Sequence, residues 1–180
     1  MTGLSRSPGT VRTPLWRVKL VNTEHILDAV RSILAGDQRR ADTASRVAAI
    51  IRQAGPYRWV GLYDVDRSEI STIAWSGEQA PTYPRFPMTR GLGGAVVSTG
   101  QSIVVGDVTK DPRYLTTFGS TRSELVVPVR DLEGTIIGLI DVESEMVNAF
   151  SEHDRQALEH CARILTPLFV QTGEKLPPGE

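Results

Sequence analysis

Cysteine is nearly absent: the chain of 180 residues has one, Cys161. No internal disulfide can form, and no second thiol exists to cooperate with the first. Such usage suits a reducing, cytoplasmic compartment. No charge sign is in excess either, since 20 Lys and Arg face 21 Asp and Glu for a formal net charge of −1. The chain therefore lacks the electrostatic footprint expected of a nucleic-acid or anionic-membrane partner. Apolar runs stay well short of the roughly 18 residues that span a bilayer. The first residues have no signal-peptide core, and no internal repeat is visible. His25, His153 and His160 show no metal-ligand spacing. What remains is ordinary globular composition, 40% hydrophobic and 23% charged. The length fits one domain with tails.

The chain is organised around Ser123–Ser144, SELVVPVRDLEGTIIGLIDVES. Two β-branched runs flank a short polar loop closed by Gly134, which predicts an antiparallel hairpin covered on both faces. Glu124, Asp141 and Glu143 flank that hairpin. Asp141 and Glu143 are two apart on a strand, so both point to one face. Residues 1–22 read as a flexible arm, 23–170 as the folded domain and 171–180 as a disordered tail. Thr23 starts a first helix with Ile26, Leu27, Val30, Ile33 and Leu34 at helical spacing. Asp37 is placed to cap a second, which Gly55-Pro56 stops. Trp59–Val65 and Glu69–Ser76 form another hairpin. The stretch 77–89, with Pro81, Pro84 and Pro87, reads as an irregular loop. Gly91-Leu92-Gly93-Gly94 leads into a short helix ending at Gly100, and Ile103–Val105 is a short strand. Ser151 caps a last helix, which Pro167 should end or kink. Hairpins beside hairpins, with helices at the ends, predict an α+β sandwich built on an antiparallel sheet.

Several ordered segments then resemble the GAF domain family. Gly91–Gly94 through Gly100 is similar to its small pocket helix. Asp107-Val108 and Asp111-Pro112-Arg113-Tyr114 are similar to its pocket-covering loop. Ser123–Val129, Gly138–Ser144 and Phe150–Asp154 are similar to its last strands and closing helix. The resemblance implies about five or six antiparallel strands, terminal helices on one face and a small-molecule pocket on the other. It also implies a sensory, signal-transducing role, which the fold alone does not establish.

The three carboxylates could hold an amine or, lacking His, a hard Mg or Ca ion in preference to Zn. We read them as an amine site and expect no metal, no cofactor and no catalytic residue. The expected ligand-binding set is Glu124, Asp141, Glu143, Asp107, Tyr114, Phe118 and Trp75, an acidic floor framed by aromatic rings. Free methionine-R-sulfoxide reductases are single GAF domains whose carboxylates at matching strand positions hold the substrate's amino group. Their pattern aligns here without a gap from Gly91 to Ser144. Their cysteines, however, fall on Gly93 and Thr117, and Glu143 stands where they tend to have Asp. Cys161 lies on the apolar face of the last helix, as a packing residue does. The resemblance thus points first to a non-catalytic sensory domain that binds a small molecule or partner protein. A divergent reductase-like enzyme, or an interaction module with no ligand, is the alternative. The broad apolar arcs of the first and last helices, with Ile164 and Leu168 beyond the main stripe, predict a homodimer through these helices.

Overall fold

Residues 23–170 are described by the computed structural model; the expected arm over 1–22 and tail over 171–180 lie outside them. The helical spacing read above closes α1 (Thr23–Leu34) and α2 (Arg40–Ala54). Then follow β1 (Trp59–Val65), β2 (Glu69–Ser76) and β3 (Arg85–Pro87). The helix α3 (Gly91–Thr99) leads to β4 (Ile103–Val105) and a 3-10 turn at Val108–Lys110. The central hairpin is β5 (Ser123–Arg130) and β6 (Ile136–Ser144), and α4 (Glu152–Phe169) closes the domain. The six strands pair antiparallel in the order β3-β2-β1-β6-β5-β4. This is the α+β sheet expected, with β1 and β6 at its centre.

Period-two alternation gives the sheet two different faces. Val60, Leu62, Leu125, Val127, Val129, Ile140 and Val142 point to one side and pack on α1, α2 and α4. Each such side chain contributes about 1.5–3 kcal/mol when fully buried. Trp59, Tyr63, Ile70, Val126 and Leu139 point to the other side. There they meet Leu92 and Val96 of α3, with Val105, Val108 and Phe118.

Some expectations change. The proline-rich stretch holds a real strand: β3 pairs Glu69, Ile70 and Ser71 of β2 with Pro87, Phe86 and Arg85. Prolines are tolerated there because β3 is an edge, where a missing donor faces no ladder. The helix α2 starts from Arg39, which makes no side-chain cap, so Asp37 is not its cap. Ser151 does cap α4: Asp154 N donates to Ser151 Oγ at 3.3 Å and Ser151 N donates to Asp154 Oδ2 at 2.8 Å. Pro167 neither ends nor shortens α4, which continues to Phe169. Proline leaves the carbonyl four residues back without its usual donor. Here Thr166 Oγ1 lies 3.2 Å from Arg163 O, while its shorter hydrogen bond, at 2.8 Å, goes to Arg130 O of β5 and ties α4 to the sheet.

Part of the apolar width of the terminal helices is used inside one chain. The helix α1 packs on both α2 and α4 while α4 also lies on β5 and β6. Leu168 is buried and Ile164 packs against the same core. Among the described residues no helix is long and apolar enough to cross a membrane.

Candidate functional site

The face opposite the terminal helices carries the acidic residues. Glu124 pairs in register with Glu143, and Val126 with Asp141. On the other flank of β6, Trp59 pairs with Glu143 and Gly61 with Asp141. The carboxylates thus lie on the strands at the open end of the β5–β6 hairpin, away from its turn, as the sequence suggested. One oxygen from each of Glu124, Asp141 and Glu143 lies within 4.8 Å of the other two. Gly61 is required beside them: a Cβ there would come within 2.3 Å of Trp59 Cη2 and 2.7 Å of Tyr63 Cε2. Those rings meet above the glycine at a centroid distance of 6.3 Å.

The cluster is deeply buried. Glu143 is 0% and Glu124 7% exposed, and Asp141 keeps a partly exposed flank. Thr121 Oγ1 makes a short hydrogen bond to Glu143 Oε2. Glu143 Oε1 and Asp141 Oδ1 are buried with no hydrogen-bond partner among the described residues. Burial raises the Glu143 carboxyl to about 7, against the pull of the Thr121 hydrogen bond and the Arg58 charge. Burial, then the neighbouring Asp141 and Glu143 charges, pushes Glu124 well above the carboxylate range. Burial, then Glu143, does the same to Asp141. The nearest opposite charge is turned outward, since Arg58 Nε binds Glu145 Oε1 at 2.8 Å and its guanidinium lies 4.7 Å from the Phe118 ring centroid.

Glu124 and Asp141 open onto a cavity of about 30 Å³ walled by Tyr63, Tyr83, Phe86, Leu115, Val126 and Leu139. Its far wall is the start of α3, where Gly91, Leu92 and Gly93 line it. Arg90 provides no side-chain cap there, and the first N–H groups of a helix have no intrahelical acceptor. Gly91 has φ +73°, and a Cβ would meet Leu115 Cδ1 at 2.8 Å, so only glycine makes this turn. The cavity therefore has an acidic end, an apolar body and a positive helix-dipole end. Gly93 and Thr117 both line it.

The remaining sequence candidates lie elsewhere. Phe118 is buried against Trp59 at 5.6 Å between centroids and anchors the covering loop. Tyr114 is half buried, and its hydroxyl donates to Phe118 O at 3.4 Å; burial, then the Glu143 charge, pushes it up to about 12. Asp107 accepts from Thr109 N at 3.2 Å and Oγ1 at 2.7 Å, and pairs with Lys110 at 3.0 Å. The Thr109 hydroxyl foremost holds it down to about 2, so Asp107 caps the 3-10 turn. Trp75 is 41% exposed and does not line the cavity. Sequence reasoning omitted Tyr63, Leu139 and Val126 from the site. Alternation back from Asp141 and on from Glu124 would have found Leu139 and Val126. Thr121 carried no sequence signal.

An antiparallel six-stranded sheet with terminal helices behind it and a small-helix pocket in front defines the class. The chain belongs to the GAF domain family, whose pattern matches residues 39–166. It is 29% identical over 143 residues to GAF domain-containing protein A of Dictyostelium discoideum, covering 79% of this chain and 89% of that protein. It is 31% identical over 115 residues to the free methionine-R-sulfoxide reductase of Saccharomyces cerevisiae, covering 62% of this chain and 63% of that protein. In shape it is similar to free methionine-R-sulfoxide reductase from Neisseria meningitidis, solved in complex with its substrate. That match has a TM-score of 0.74 and 32% identity, over 82% of this chain and 87% of that one.

Proposed function

We propose that the chain is a non-catalytic GAF module that captures a small zwitterionic metabolite of amino-acid type. The observation that carries this reading is a pair of orphaned carboxylate oxygens in one cluster, Asp141 Oδ1, on a residue that lines the cavity, and Glu143 Oε1 behind it. A buried acceptor without a donor is costly unless a ligand supplies one. An ammonium group supplies up to three donors and a compensating charge. The uncapped α3 start faces the same cavity and suits the ligand's anionic or sulfoxide oxygen. Leu115 and Thr117 of the covering loop line the cavity, so movement of that loop governs entry of a metabolite. That loop is pinned by Thr82 Oγ1, which donates to Thr117 O at 2.5 Å, and by Arg58 over Phe118.

Likeness to the Neisseria reductase favours a second reading, a divergent sulfoxide reductase. Against it, Gly93 and Thr117 offer no thiol to the cavity. The one cysteine, Cys161, is buried in the helix-side core, where burial pushes its thiol up to about 12. A thiol held protonated and out of reach is a poor nucleophile. Calorimetry with free methionine-R-sulfoxide and with methionine, followed by a reductant-coupled turnover assay, separates the readings. Binding that Asp141→Asn abolishes, without turnover, is the expected result. Turnover would establish the reductase reading, and absence of binding by either compound or by other small amino acids would remove the amine site.

A further inference from the structure

Three carboxylates confined to one side of a sheet need compensation. We propose that Glu124, Asp141 and Glu143 form a binding site for a hard divalent cation of calcium's size. The spacing carries it: one oxygen from each residue lies within 4.8 Å of the other two. Calcium–oxygen bonds of about 2.3–2.6 Å put ligands on opposite sides of the ion about 4.6–5.2 Å apart, and neighbouring ligands closer. A separation within 4.8 Å is in the reach of such an ion.

Independent of the spacing, two oxygens lack partners. Glu143 is fully buried, its Oε2 is held by Thr121 and its Oε1 has no partner among the described residues. Asp141 Oδ1 is in the same state. Thr121 thus fixes one arm of the Glu143 carboxylate and leaves the other for the ion. Arg58, the cation among the described residues whose charge acts on Glu143, is engaged with Glu145 and Phe118. The donor set is all oxygen, which selects calcium, magnesium or manganese against zinc. The adjoining cavity of about 30 Å³ has room for one water as a further ligand.

The cation site shares its carboxylates with the ammonium site proposed above but does not depend on it. The two occupants exclude each other, so the divalent ion acts as a competitor that sets when the pocket is open to the metabolite.

Terbium luminescence tests the site on the unaltered full chain after chelation. Trp59 is paired in register with Glu143, and Tyr63 lies on the same face. A lanthanide in the cluster is therefore sensitised by aromatic excitation. The expected result is saturable emission that calcium displaces and an equal ionic strength of potassium chloride does not. Asp141→Asn and Glu124→Gln each weaken terbium binding at least tenfold. Absent emission, emission that calcium leaves unchanged, or binding unaltered in both variants would overturn the site. Titration with methionine sulfoxide in excess chelator is run alongside. Its failure strikes only the metabolite reading, whereas success there with no terbium signal strikes only the cation.

Discussion

Glu143 concentrates the electrostatic tension of the site in one side chain. Its folded-state pKa of about 7 lies above the ordinary 4.5. The folded chain therefore holds this proton more tightly than the unfolded chain. The stability so gained is fully present below about pH 4.5 and is lost as pH rises through about 7. Glu124 and Asp141 shift in the same direction. Urea titration of chelated, ligand-free protein should accordingly give a lower midpoint above neutral pH than near pH 5. Glu143→Gln keeps an acceptor for Thr121 and removes the charge. It should flatten that slope and raise stability above neutral pH, on the order of 2–3 kcal/mol. The carboxylates themselves were readable in the sequence, and so was the shared face of Asp141 and Glu143. Their orphaned oxygens were not, because satisfaction depends on Thr121, 22 residues away from Glu143, and on an arginine turned toward Glu145. Asp107 shows the opposite failure: a carboxylate beside a predicted pocket loop proves to be a turn cap.

At the level of elements, the covering loop and the strand beneath it make separate predictions. Arg58→Ala removes the cation above Phe118 and should speed amide exchange across residues 113–121, read by hydrogen–deuterium exchange. Exchange unchanged in that segment would show that Trp59 packing alone holds the loop. In β1, Gly61→Ala drives a methyl into the Trp59 and Tyr63 rings and should cost about 1–3 kcal/mol. In α4, Thr166→Val removes the hydroxyl that donates to Arg130 O at 2.8 Å and should cost about 1 kcal/mol, read as a lower urea midpoint. Long periodic elements were readable: α1, α2, both hairpins and α4 follow from apolar spacing. The edge strand β3 was hidden because three nearby prolines argue for a loop, and only its pairing with β2 overrides them. Continuation of α4 past Pro167 was hidden for a related reason, since Thr166, the preceding residue, ties this end of the helix to Arg130 O of β5, a contact that appears only in three dimensions.

The whole molecule consists of two cores separated by one sheet. The partly exposed Ile164 remains the apolar handle on the α1–α4 side, and the outward positions of α1 are Glu24, His25, Asp28, Arg31 and Ser32. Pairing of two chains through α1 and α4 should give twice the 19.7 kDa of one chain in light scattering at micromolar concentration, falling after Ile164→Glu. A mass near that of one chain would overturn the pairing. The broad architecture was readable because hydrophobic periodicity reports which residues leave water. The choice of face was not, since β5 and β6 are apolar at nearly every position. That same β6 carries Ile140 and Val142 toward the helices and Asp141 and Glu143 to the opposite face, where Asp141 lines the cavity. The turn over residues 131–135, held by Thr135 N donating to Asp131 Oδ1 at 2.7 Å, sets which pair goes where. Losing one residue between that turn and Gly138 would exchange the two sets. Two acids would then be thrust among the aliphatic side chains of the helical layer, while isoleucine and valine plugged the cavity. The hairpin's reading frame thus guards the chemistry of the pocket as strictly as the identity of any residue within it.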